Sequence, residues 1–434
     1  MTGHRLGAVR WWAFAAAAMV LVVGCSNASI PSPPSPGGSS APGVSARQIN
    51  VGAVATLSGG VAADFGPIVP GVRAYLDMVN AKGGVNGRQV VLANAVDDST
   101  FNNQQAVRTI VEQDHVFAVV GVATAFFTGQ PFLVQTGTPT FGFATEDNWS
   151  PAPNLFAAYG SVIDFANSEP FFPYLARRVH AQVAAVIAYG VPQSATECRG
   201  AVDGLERYGV PVGYSDLAVP VGSSLSSDVV HMKQAGVDFV VSCMDVPGNL
   251  DLSRTIQQNG LTGVKQVWLD GYDLSTLHQY PTLMNNVYFL VQHVPFQAAS
   301  QFPGEFPGLS RYIETMNRYE PGYTFNEVAM EGWLSGALFV AGLRAAGPSL
   351  TQQRLISAIN HITSFTAGGV IAPVDWSIAH TRTTSPSCET FVLAQAGAFK
   401  VVFNHGRHIW VCFPLTARPD IGHPVAAPRG TPGA

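Results

Sequence analysis

The sequence predicts an α/β fold with two Rossmann-like lobes, each built on a parallel central sheet. Two stretches, 51–121 and 171–290, alternate short β-rich segments with helical ones, and this alternation is typical of parallel sheets with right-handed crossovers. Without its first 46 residues the 434-residue chain still has 388 residues, more than a single hydrophobic core usually organises. We therefore expect two lobes.

The first half has the pattern of a βαβαβ unit. The apolar residues between Ile68 and Val79 recur on one helical face, and Asp97-Asp98-Ser99 is expected to cap the next helix. Ligands of open α/β sheets bind beyond the carboxyl ends of strands, so the loops after Ala55 and Val120 are the first candidates for a site. The expected strands are 51–55, 89–92 and 117–120, with helices at 68–79 and through 106–111.

The second half repeats this alternation and then changes character. Beyond a strand at 287–290, two helices and a terminal hairpin across Ala396-Gly397 are expected. The expected strands are 183–188, 237–241 and 266–269, the helices 200–207, 226–234, 250–258, 328–344 and 352–359, and the hairpin strands 391–394 and 399–403.

Several loop segments resemble those of a known family. They are Leu57-Ser58-Gly59, Phe65-Gly66, residues 80–87, Asp97-Asp98 and Val119-Val120-Gly121. Together they resemble the type I periplasmic solute-binding proteins of ABC transporters, in the leucine/isoleucine/valine-binding branch. The similarity continues, more weakly, to about Val402.

This resemblance implies two lobes joined by a multi-strand hinge. The late helices would return to the first lobe, and the terminal hairpin would lie with the second. The expected divisions are 47–165 plus 296–375 for lobe 1, 166–295 plus 376–415 for lobe 2, and 416–434 for a flexible tail.

The N-terminus predicts an exported lipoprotein. Arg5 and Arg10 precede an apolar run, Trp11 to Val23, that is short for a membrane span. Residues 1–24 are therefore expected to form a secretory signal. It ends in Val22-Val23-Gly24-Cys25, which resembles a bacterial lipobox and implies lipid attachment at Cys25. Residues 25–46 are rich in Ser, Pro and Gly and are expected to form a tether. We expect a lipid-anchored protein on the extracytoplasmic face; a plain signal peptide is the alternative.

The charge balance argues against a polyanionic partner. Removing Arg5 and Arg10 with the signal leaves 21 basic residues against 28 acidic ones, a net charge of −7. Nucleic acid is therefore not expected as a partner. We expect a monomer that binds a small-molecule ligand and interacts with a membrane permease. Its lipid anchor would attach it to the membrane.

Four cysteines besides Cys25 form an even set in an exported chain. Their placement suggests the pairs Cys198 with Cys243 and Cys388 with Cys412, because Cys243 ends a strand and Cys198 lies near the start of a helix that follows a neighbouring strand. No Cys-x-x-Cys motif is present, which argues against a redox or zinc role.

The motifs favour binding over catalysis. The chain has no Gly-x-Ser-x-Gly, His-Glu-x-x-His, phosphate-binding loop or dinucleotide fingerprint, and we expect neither an enzyme nor a cofactor. Asp97 and Asp98 form an acid/base pair in one interpretation, but adjacent carboxylates on a turn more often cap a helix. His405 and His408 lack a nearby third metal ligand, so we expect a solvated loop and no metal.

Lobe 1 is expected to contact the ligand through two strand-end segments and an aromatic residue. Residues 121–126, which include Ala123, are expected to begin a helix. Its free backbone N–H groups and the Thr124 hydroxyl could bind a carboxylate of the ligand. In the alternative interpretation, Thr124 only caps that helix. The resemblance assigns Ala144 and Thr145 a ligand-contacting role and makes Phe65 an aromatic lid. A core role for Phe65 stays open.

Lobe 2 is expected to supply an aromatic wall and a carboxylate. The candidate residues, all after strand ends, are Tyr189, Gln193, Asp245, Asp270 and Tyr272. Asp270 is the preferred carboxylate for a ligand ammonium, although the family acid aligns nearer Tyr272. The segment Ala125-Phe126-Phe127 also lacks the hydroxyl groups of the amino-acid binders, so an amide, an aromatic acid or another apolar metabolite is retained beside an amino acid.

The expected function is capture of a small solute between two lobes for an ABC importer. A ligand-sensing lipoprotein of the same fold, not coupled to transport, is the first alternative. An exported hydrolase is the second.

Overall fold

The computed structural model describes residues 41–162, 170–382, 387–416 and 418–428. Cys25 and the expected signal and tether up to residue 40 lie outside these ranges. Within them, no helix has both the length and the apolar composition needed to cross a bilayer.

Lobe 1 is built on a five-stranded parallel sheet in the order β2-β1-β3-β4-β5. Every residue of β3 is buried, as expected for a central strand covered by helices on both faces. The strands are β1 (Gln48–Ala55), β2 (Gln89–Asp97), β3 (Ala118–Ala123), β4 (Thr140–Gly142) and β5 (Leu155–Ala157).

Lobe 1 takes its helices from two distant parts of the chain. Those of the first half are α1 (Ala62–Phe65), α2 (Ile68–Asn80), α3 (Asn103–Arg108) and α4 (Gln130–Thr136). A π-helical turn, Thr109–Gln113, extends α3, and a 3₁₀ turn occupies Asp147–Trp149.

Lobe 2 is built on an eight-stranded sheet in the order β12-β11-β10-β9-β8-β6-β7, with β13 paired to β11. Strands β6 to β10 are parallel, whereas β11, β12 and β13 pair antiparallel. The strands are β6 (Ala184–Tyr189), β7 (Val212–Val219), β8 (Phe239–Cys243), β9 (Lys265–Trp268), β10 (Val287–Val291), β11 (Ser387–Gln395), β12 (Ala398–Val402) and β13 (Val411–Phe413).

The helices between strands β5 and β10 are α5 (Phe171–Arg178), α6 (Pro192–Arg207), α7 (Ser226–Gln234), α8 (Val246–Gln258) and α9 (Leu274–Gln279). Four more follow β10: α10 (Ala298–Gln301), α11 (Pro307–Tyr319), α12 (Glu327–Ala346) and α13 (Gln352–Ile359).

Helix α12 returns to lobe 1 and packs closely on α2. Two glycines make this approach possible. A Cβ on Gly71 would lie 2.0 Å from the Ala329 carbonyl oxygen, and one on Gly332 would lie 2.0 Å from the Ile68 carbonyl oxygen. The two backbones therefore touch where any larger residue would hold them apart.

A hydrophobic cluster runs without a break from lobe 1 to the sheet of lobe 2. It includes Trp333 on the lobe 1 side, Phe296 between the lobes, and Trp268 on the lobe 2 side. The Phe296 ring stacks on Tyr272 at 5.1 Å and on Tyr312 at 5.7 Å between ring centroids. This aromatic packing supports the segment that joins β10 to α10.

Both predicted disulfides are confirmed. Cys198 on α6 bonds to Cys243, the last residue of β8. Cys388 bonds to Cys412, its direct partner in the β11–β13 register. Each bond therefore ties together segments that are already neighbours in lobe 2.

Four strands were not predicted, and several elements extend beyond their expected bounds. The missed strands are β4, β5, β7 and β13. Strand β2 continues to Asp97 and β3 to Ala123, where the predictions ended them at Leu92 and Val120.

Both ends of the fold differ from expectation. The Gly43 carbonyl accepts the Asn50 N–H at 2.8 Å, so ordered packing begins before residue 47. At the other end, residues 418–428 pack on lobe 2 where a flexible tail from 416 was expected. The Tyr208 hydroxyl donates to the Pro419 carbonyl at 2.6 Å, and the Val425 N–H donates to the Cys412 carbonyl at 2.8 Å.

The predicted boundary at 375/376 is also displaced. The Trp376 and His380 rings contact the Phe156 ring of β5 at 5.2 and 5.1 Å, and the Ser161 N–H donates to the Ala379 carbonyl at 2.9 Å. Residues 376–382 therefore lie on lobe 1, and the chain returns to lobe 2 only before β11.

Candidate functional site

The candidate site lies between the carboxyl ends of the parallel strands of the two sheets. From lobe 1, the loops after β1, β3 and β4 reach this cleft; from lobe 2, the loops after β6, β8 and β9 do. This is the position at which α/β sheets bind ligands.

Asp97 and Asp98 hold the loop after β1, which corrects their predicted role as helix caps. Asp98 accepts the Thr56 hydroxyl at 2.7 Å and the Asn103 amide at 3.0 Å. Asp97 accepts the Leu57 N–H at 2.8 Å. The N-cap of α3 has no side-chain hydrogen bond, so the two carboxylates position the rim of the cleft instead.

The loop after β3 does not open a helix at Thr124, because α4 begins only at Gln130. Thr124 instead forms a local turn, in which its Oγ1 accepts the Phe126 N–H at 3.4 Å. The Phe126 N–H, one of the expected free N–H groups of residues 121–126, is therefore used within the fold. Glu146 Oε2 accepts the Phe127 N–H at 3.1 Å, and Asn103 Oδ1 accepts the Gly129 N–H at 2.9 Å.

The segment after β4 lies against this loop. The Thr145 hydroxyl donates to the Thr124 carbonyl at 3.2 Å, and Ala144 packs at the edge of the lobe 1 core. Ala123 is fully buried, and its carbonyl accepts the Thr56 N–H at 3.1 Å. The structure thus brings Thr124, Ala144 and Thr145 together on one side of the cleft.

Gln193 at the start of α6 joins the two lobes. Its Nε2 donates to the Ala125 carbonyl at 2.6 Å and to Glu146 Oε1 at 3.0 Å. Both acceptors belong to lobe 1. Gln193 was a predicted site residue, whereas Glu146, which also anchors the loop after β3, was not. These contacts are those of a closed cleft.

Tyr189 and Asp245 form a hydrogen-bonded pair at the ends of β6 and β8. The Tyr189 hydroxyl donates to Asp245 Oδ1 at 2.9 Å, and the same oxygen accepts the Gly248 N–H as the N-cap of α8. Burial, followed by the nearby Asp245 charge, raises the pKa of Tyr189. The pair is positioned by α8.

Asp270, after β9, is one of three half-buried carboxyl groups with strongly altered acidity. Burial and then the Asp245 charge raise the pKa of Asp270 to about 7. Burial, followed by the charges of Asp270, Asp245 and Asp273, raises the pKa of Asp64 to about 9. Burial and the Asp270 charge raise the pKa of Glu327 to about 8. Neither Asp64 nor Glu327 was among the predicted site residues.

Glu331 extends this group along α12. It lies one turn beyond Glu327 and is 1% exposed. Burial and then the Glu327 charge raise its pKa well above the usual range. The buried Tyr159 hydroxyl lies beside Glu331, and burial, followed by the Glu331 charge, raises the pKa of Tyr159 as well.

Tyr272 lies in the core beside the cleft, which corrects its placement among the residues that face the ligand. It is 2% exposed; its hydroxyl accepts the Phe296 N–H at 2.9 Å and donates to Gln297. Phe65, on α1, is half-buried and packs beside Ile68 and Val328. Its ring therefore packs on the edge of the core and stays partly exposed.

His405 and His408 are exposed and form a tight backbone turn, with the His405 N–H donating to the His408 carbonyl at 3.0 Å. Across the described ranges, no group of three or more His, Cys, Asp or Glu side chains is arranged to hold a metal ion. The cleft carboxyl groups are thus too dispersed to form one coordination sphere.

The sequence matches the family model for periplasmic binding proteins over residues 48–396, most of the chain. The chain belongs to the periplasmic binding protein family. This is a family of binding proteins, in agreement with the prediction that the chain is not an enzyme. No curated protein sequence matches it.

Solved structures share the fold at low sequence identity. The fatty acid ABC transporter substrate-binding protein from Thermomonospora curvata has a TM-score of 0.70 at 16% identity, covering 90% of this chain and 98% of its own. The branched-chain amino acid binding protein LivJ from Streptococcus pneumoniae, in complex with isoleucine, has a TM-score of 0.68 at 17% identity, covering 82% and 99%.

A solute-binding protein from R. palustris in complex with benzoate also has a TM-score of 0.68, at 15% identity, covering 82% and 95%. The predicted two-lobed α/β fold of type I periplasmic binding proteins is confirmed.

Proposed function

We propose that this protein is the solute-binding component of an ABC importer, held at the extracytoplasmic face of the membrane by lipid on Cys25. It captures a small solute between its lobes and presents the closed form to a membrane permease. Family membership supports the binding role, and Val22-Val23-Gly24-Cys25 supports the anchor.

The observation that carries the proposal is the interlobe contact of Gln193. A side chain of lobe 2 donates two hydrogen bonds to lobe 1 at the mouth of a cleft lined by strand-end loops. A ligand that contacts both lobes favours this closed state by its higher affinity for it.

We propose that the ligand meets Thr124, Ala144 and Thr145 from lobe 1, beside Ala123, with Phe65 at the edge. From lobe 2 it contacts Asp270 and the Tyr189–Asp245 pair, while Gln193 connects the two lobes by its hydrogen bonds. Tyr272 is left out because its hydroxyl is already used within the core.

The proposed ligand is a small solute, and a ligand-binding screen should cover several chemical classes of solute. The solved relatives are described with isoleucine, benzoate or fatty acid, so amino acids, amides and small organic acids belong in it. A solute that binds only the folded state stabilises it by RT ln(1 + [L]/Kd), about 2.7 kcal/mol at a hundredfold excess over Kd.

The test is a thermal-shift screen of the full-length protein, followed by calorimetry of each hit. A saturable rise in melting temperature with one-to-one binding supports solute capture. Substrate turnover, followed by mass spectrometry of the solute, would instead favour an exported hydrolase. Loss of solute uptake in cells that lack the protein would separate transport from sensing.

The anchor has its own test. Cys25→Ala should abolish metabolic labelling with a fatty acid and partitioning into the detergent phase, while the protein still folds. Ser26→Ala is the matched control and should retain both properties. Labelling that persists in Cys25→Ala would refute lipid attachment at this residue.

A further inference from the structure

Lobe 2 has a groove whose walls combine basic and aromatic side chains. The groove has a volume of about 430 Å³ and lies between the end of α5, the loop that joins β12 to β13, and the C-terminal segment 421–426. None of these elements is among the strand-end loops that reach the cleft. The volume is within the usual range for small-molecule sites, roughly 300 to 1,000 Å³.

The groove is basic, although the chain as a whole is acidic. The basic residues that line it are Arg177, Arg178, His405 and His408. No Asp or Glu is among the described residues of its lining, and the neighbouring Asp420 is already hydrogen-bonded to His423 at 2.8 Å. A groove lined by groups of one charge sign attracts ligands of the opposite sign. The lining therefore favours an anion.

Arg178 is the basic group best placed to bind that anion. Its guanidinium carbon lies 5.2 Å from the centroid of the Phe403 ring, so the planar group is oriented by the aromatic surface. Within the described residues it has neither an ion pair nor a hydrogen bond. Arg177 is less available, because it donates to the Tyr208 carbonyl at 2.8 Å. An oriented and unpaired guanidinium can bind two oxygens of a phosphate or carboxylate at once.

The Tyr174 hydroxyl is a second group without a partner in this groove. Tyr174 is only 8% exposed, and its ring packs on Phe391 at 5.5 Å and on Phe413 at 5.7 Å between centroids. Its hydroxyl forms no hydrogen bond within the described residues and is not fully shielded. Since Tyr174 lines the groove, this hydroxyl opens into it. Tyr174 and Arg178 lie four residues apart on α5 and hence on one helical face.

The remaining walls of the groove are apolar. Phe403, Trp410 and Val411 line it beside Ile421 and Val425 of the C-terminal segment. Trp410 is 9% exposed, and its shielded N–H has no hydrogen-bond partner within the described fold. An inorganic ion would leave these walls in contact with water, whereas a ligand with an apolar part would cover them.

We propose that this groove is a second ligand site, which binds an oxyanion attached to an apolar body, as in a phosphate monoester or a carboxylic acid. Arg178 and Tyr174 donate to the oxyanion, and His405 and His408 provide further N–H donors. The apolar body packs on Trp410 and on the C-terminal segment. This site is separate from the cleft, so the proposal goes beyond solute capture, and failure of one leaves the other unaffected.

The experiment is calorimetry of the full-length protein with phenyl phosphate and matched probes. Phenol lacks the phosphate, inorganic phosphate lacks the ring, benzylamine has the opposite charge, and benzoate replaces phosphate by carboxylate. We expect saturable one-to-one binding of phenyl phosphate or benzoate, and the tighter of the two identifies the head group. Phenol and benzylamine should not bind, and inorganic phosphate should bind at least about tenfold more weakly.

Variants locate the binding in the groove. Arg178→Gln and Tyr174→Phe should each weaken phenyl phosphate binding about ten- to a hundredfold, the usual effect of losing a hydrogen bond to a charged group. Arg199→Gln changes an exposed arginine of α6 and should bind as the wild type does. Arg178 is exposed, so its replacement keeps the test decisive even if Tyr174→Phe fails to fold.

Phenyl phosphate binding that is unchanged in Arg178→Gln would place the anion elsewhere, and weaker binding in Thr124→Ala instead would place it in the cleft. Either result refutes the groove site. Equal affinities for phenol and phenyl phosphate, or for inorganic phosphate and phenyl phosphate, would overturn the proposed ligand class. Absence of binding of both phenyl phosphate and benzoate would refute the second site while leaving solute capture in the cleft intact.

Discussion

Gln193 and Glu146 lie on opposite sides of the cleft, and Nε2 of Gln193 donates to Oε1 of Glu146 at 3.0 Å. The other oxygen of Glu146 accepts the Phe127 N–H at 3.1 Å. One lobe 1 carboxylate therefore holds both the loop after β3 and the first turn of α6. Closure and the shape of the lobe 1 wall depend on the same side chain.

Gln193→Ala should shift the ligand-free protein towards an open form and weaken binding. The substitution removes two interlobe hydrogen bonds, one of them to a charged group, and such a bond contributes about 1.5 to 3 kcal/mol. We expect a larger radius of gyration by small-angle scattering and a loss of affinity of about ten- to a hundredfold.

Gln257→Ala is the matched control for this variant. Gln257 also donates to a backbone carbonyl, that of Thr282 at 3.0 Å, but both residues belong to lobe 2. It should change neither the scattering nor the affinity. If Gln193→Ala scatters and binds as the wild type does, the contact has no role in closure.

The ligand-free protein should lose stability as the pH rises from about 4 to 9. The pKa values of Asp64, Glu327 and Asp270 are raised to about 9, 8 and 7 in the folded state. In this range the unfolded chain ionises these groups while the folded protein keeps their protons, which favours unfolding. Each such group contributes at most about 1.4 kcal/mol per pH unit.

Melting temperatures between pH 5 and pH 9 measure this dependence. Asp64→Asn and Glu327→Gln should flatten the decline because each removes one titrating group, and Asp203→Asn should leave it unchanged. A melting temperature that increases steadily up to pH 8 would contradict the raised pKa values.

The two disulfides should each stabilise lobe 2 by a few kcal/mol. In the loop-closure model, the 45- and 24-residue separations correspond to about 4 kcal/mol for Cys198–Cys243 and about 3.5 kcal/mol for Cys388–Cys412. Replacing both cysteines of a pair by Ala should lower the urea midpoint accordingly. Peptide mapping should find these two links, and a Cys198–Cys388 link would be incompatible with the sheet order.

The sequence was sufficient to predict the fold because its strand and helix periodicities are strong where the elements are long. Helix α7 has its predicted bounds, Ser226–Gln234. Strands β4 and β5 have three residues each, too few for a periodic pattern to be recognised. Neighbouring strands, not local sequence, determine where such short strands form.

The candidate site was predicted less completely because proximity of side chains depends on tertiary packing. Strand ends predicted Thr124, Thr145, Gln193 and Asp270 as ligand contacts, and that role stays a prediction. A strand end does not determine where a side chain points, and Tyr272 is buried in the core. Glu331 carried one usable signal, since it is an acid within the apolar helix α12. Asp64 carried none, because its neighbours Asp245 and Asp270 are distant in sequence.

Phe65→Ala should distinguish a cleft-edge role of this ring from a core role. The ring is half-buried beside Ile68 and Val328, so its removal should destabilise the protein by less than the roughly 3 to 5 kcal/mol typical of a fully buried Phe. If the ring also covers the bound solute, affinity should fall about tenfold, as measured by calorimetry on a solute identified by the screen.

Phe141→Ala provides the comparison within lobe 1. Phe141 is fully buried and stacks on Phe156 at 5.1 Å between ring centroids, so the variant should show the full stability loss in urea unfolding. Equal stability losses for the two variants, with unchanged affinity in Phe65→Ala, would make Phe65 a core residue. A small loss of stability combined with weaker binding would place its ring over the solute, because only a contact formed in the liganded state lowers affinity without a matching cost in folding.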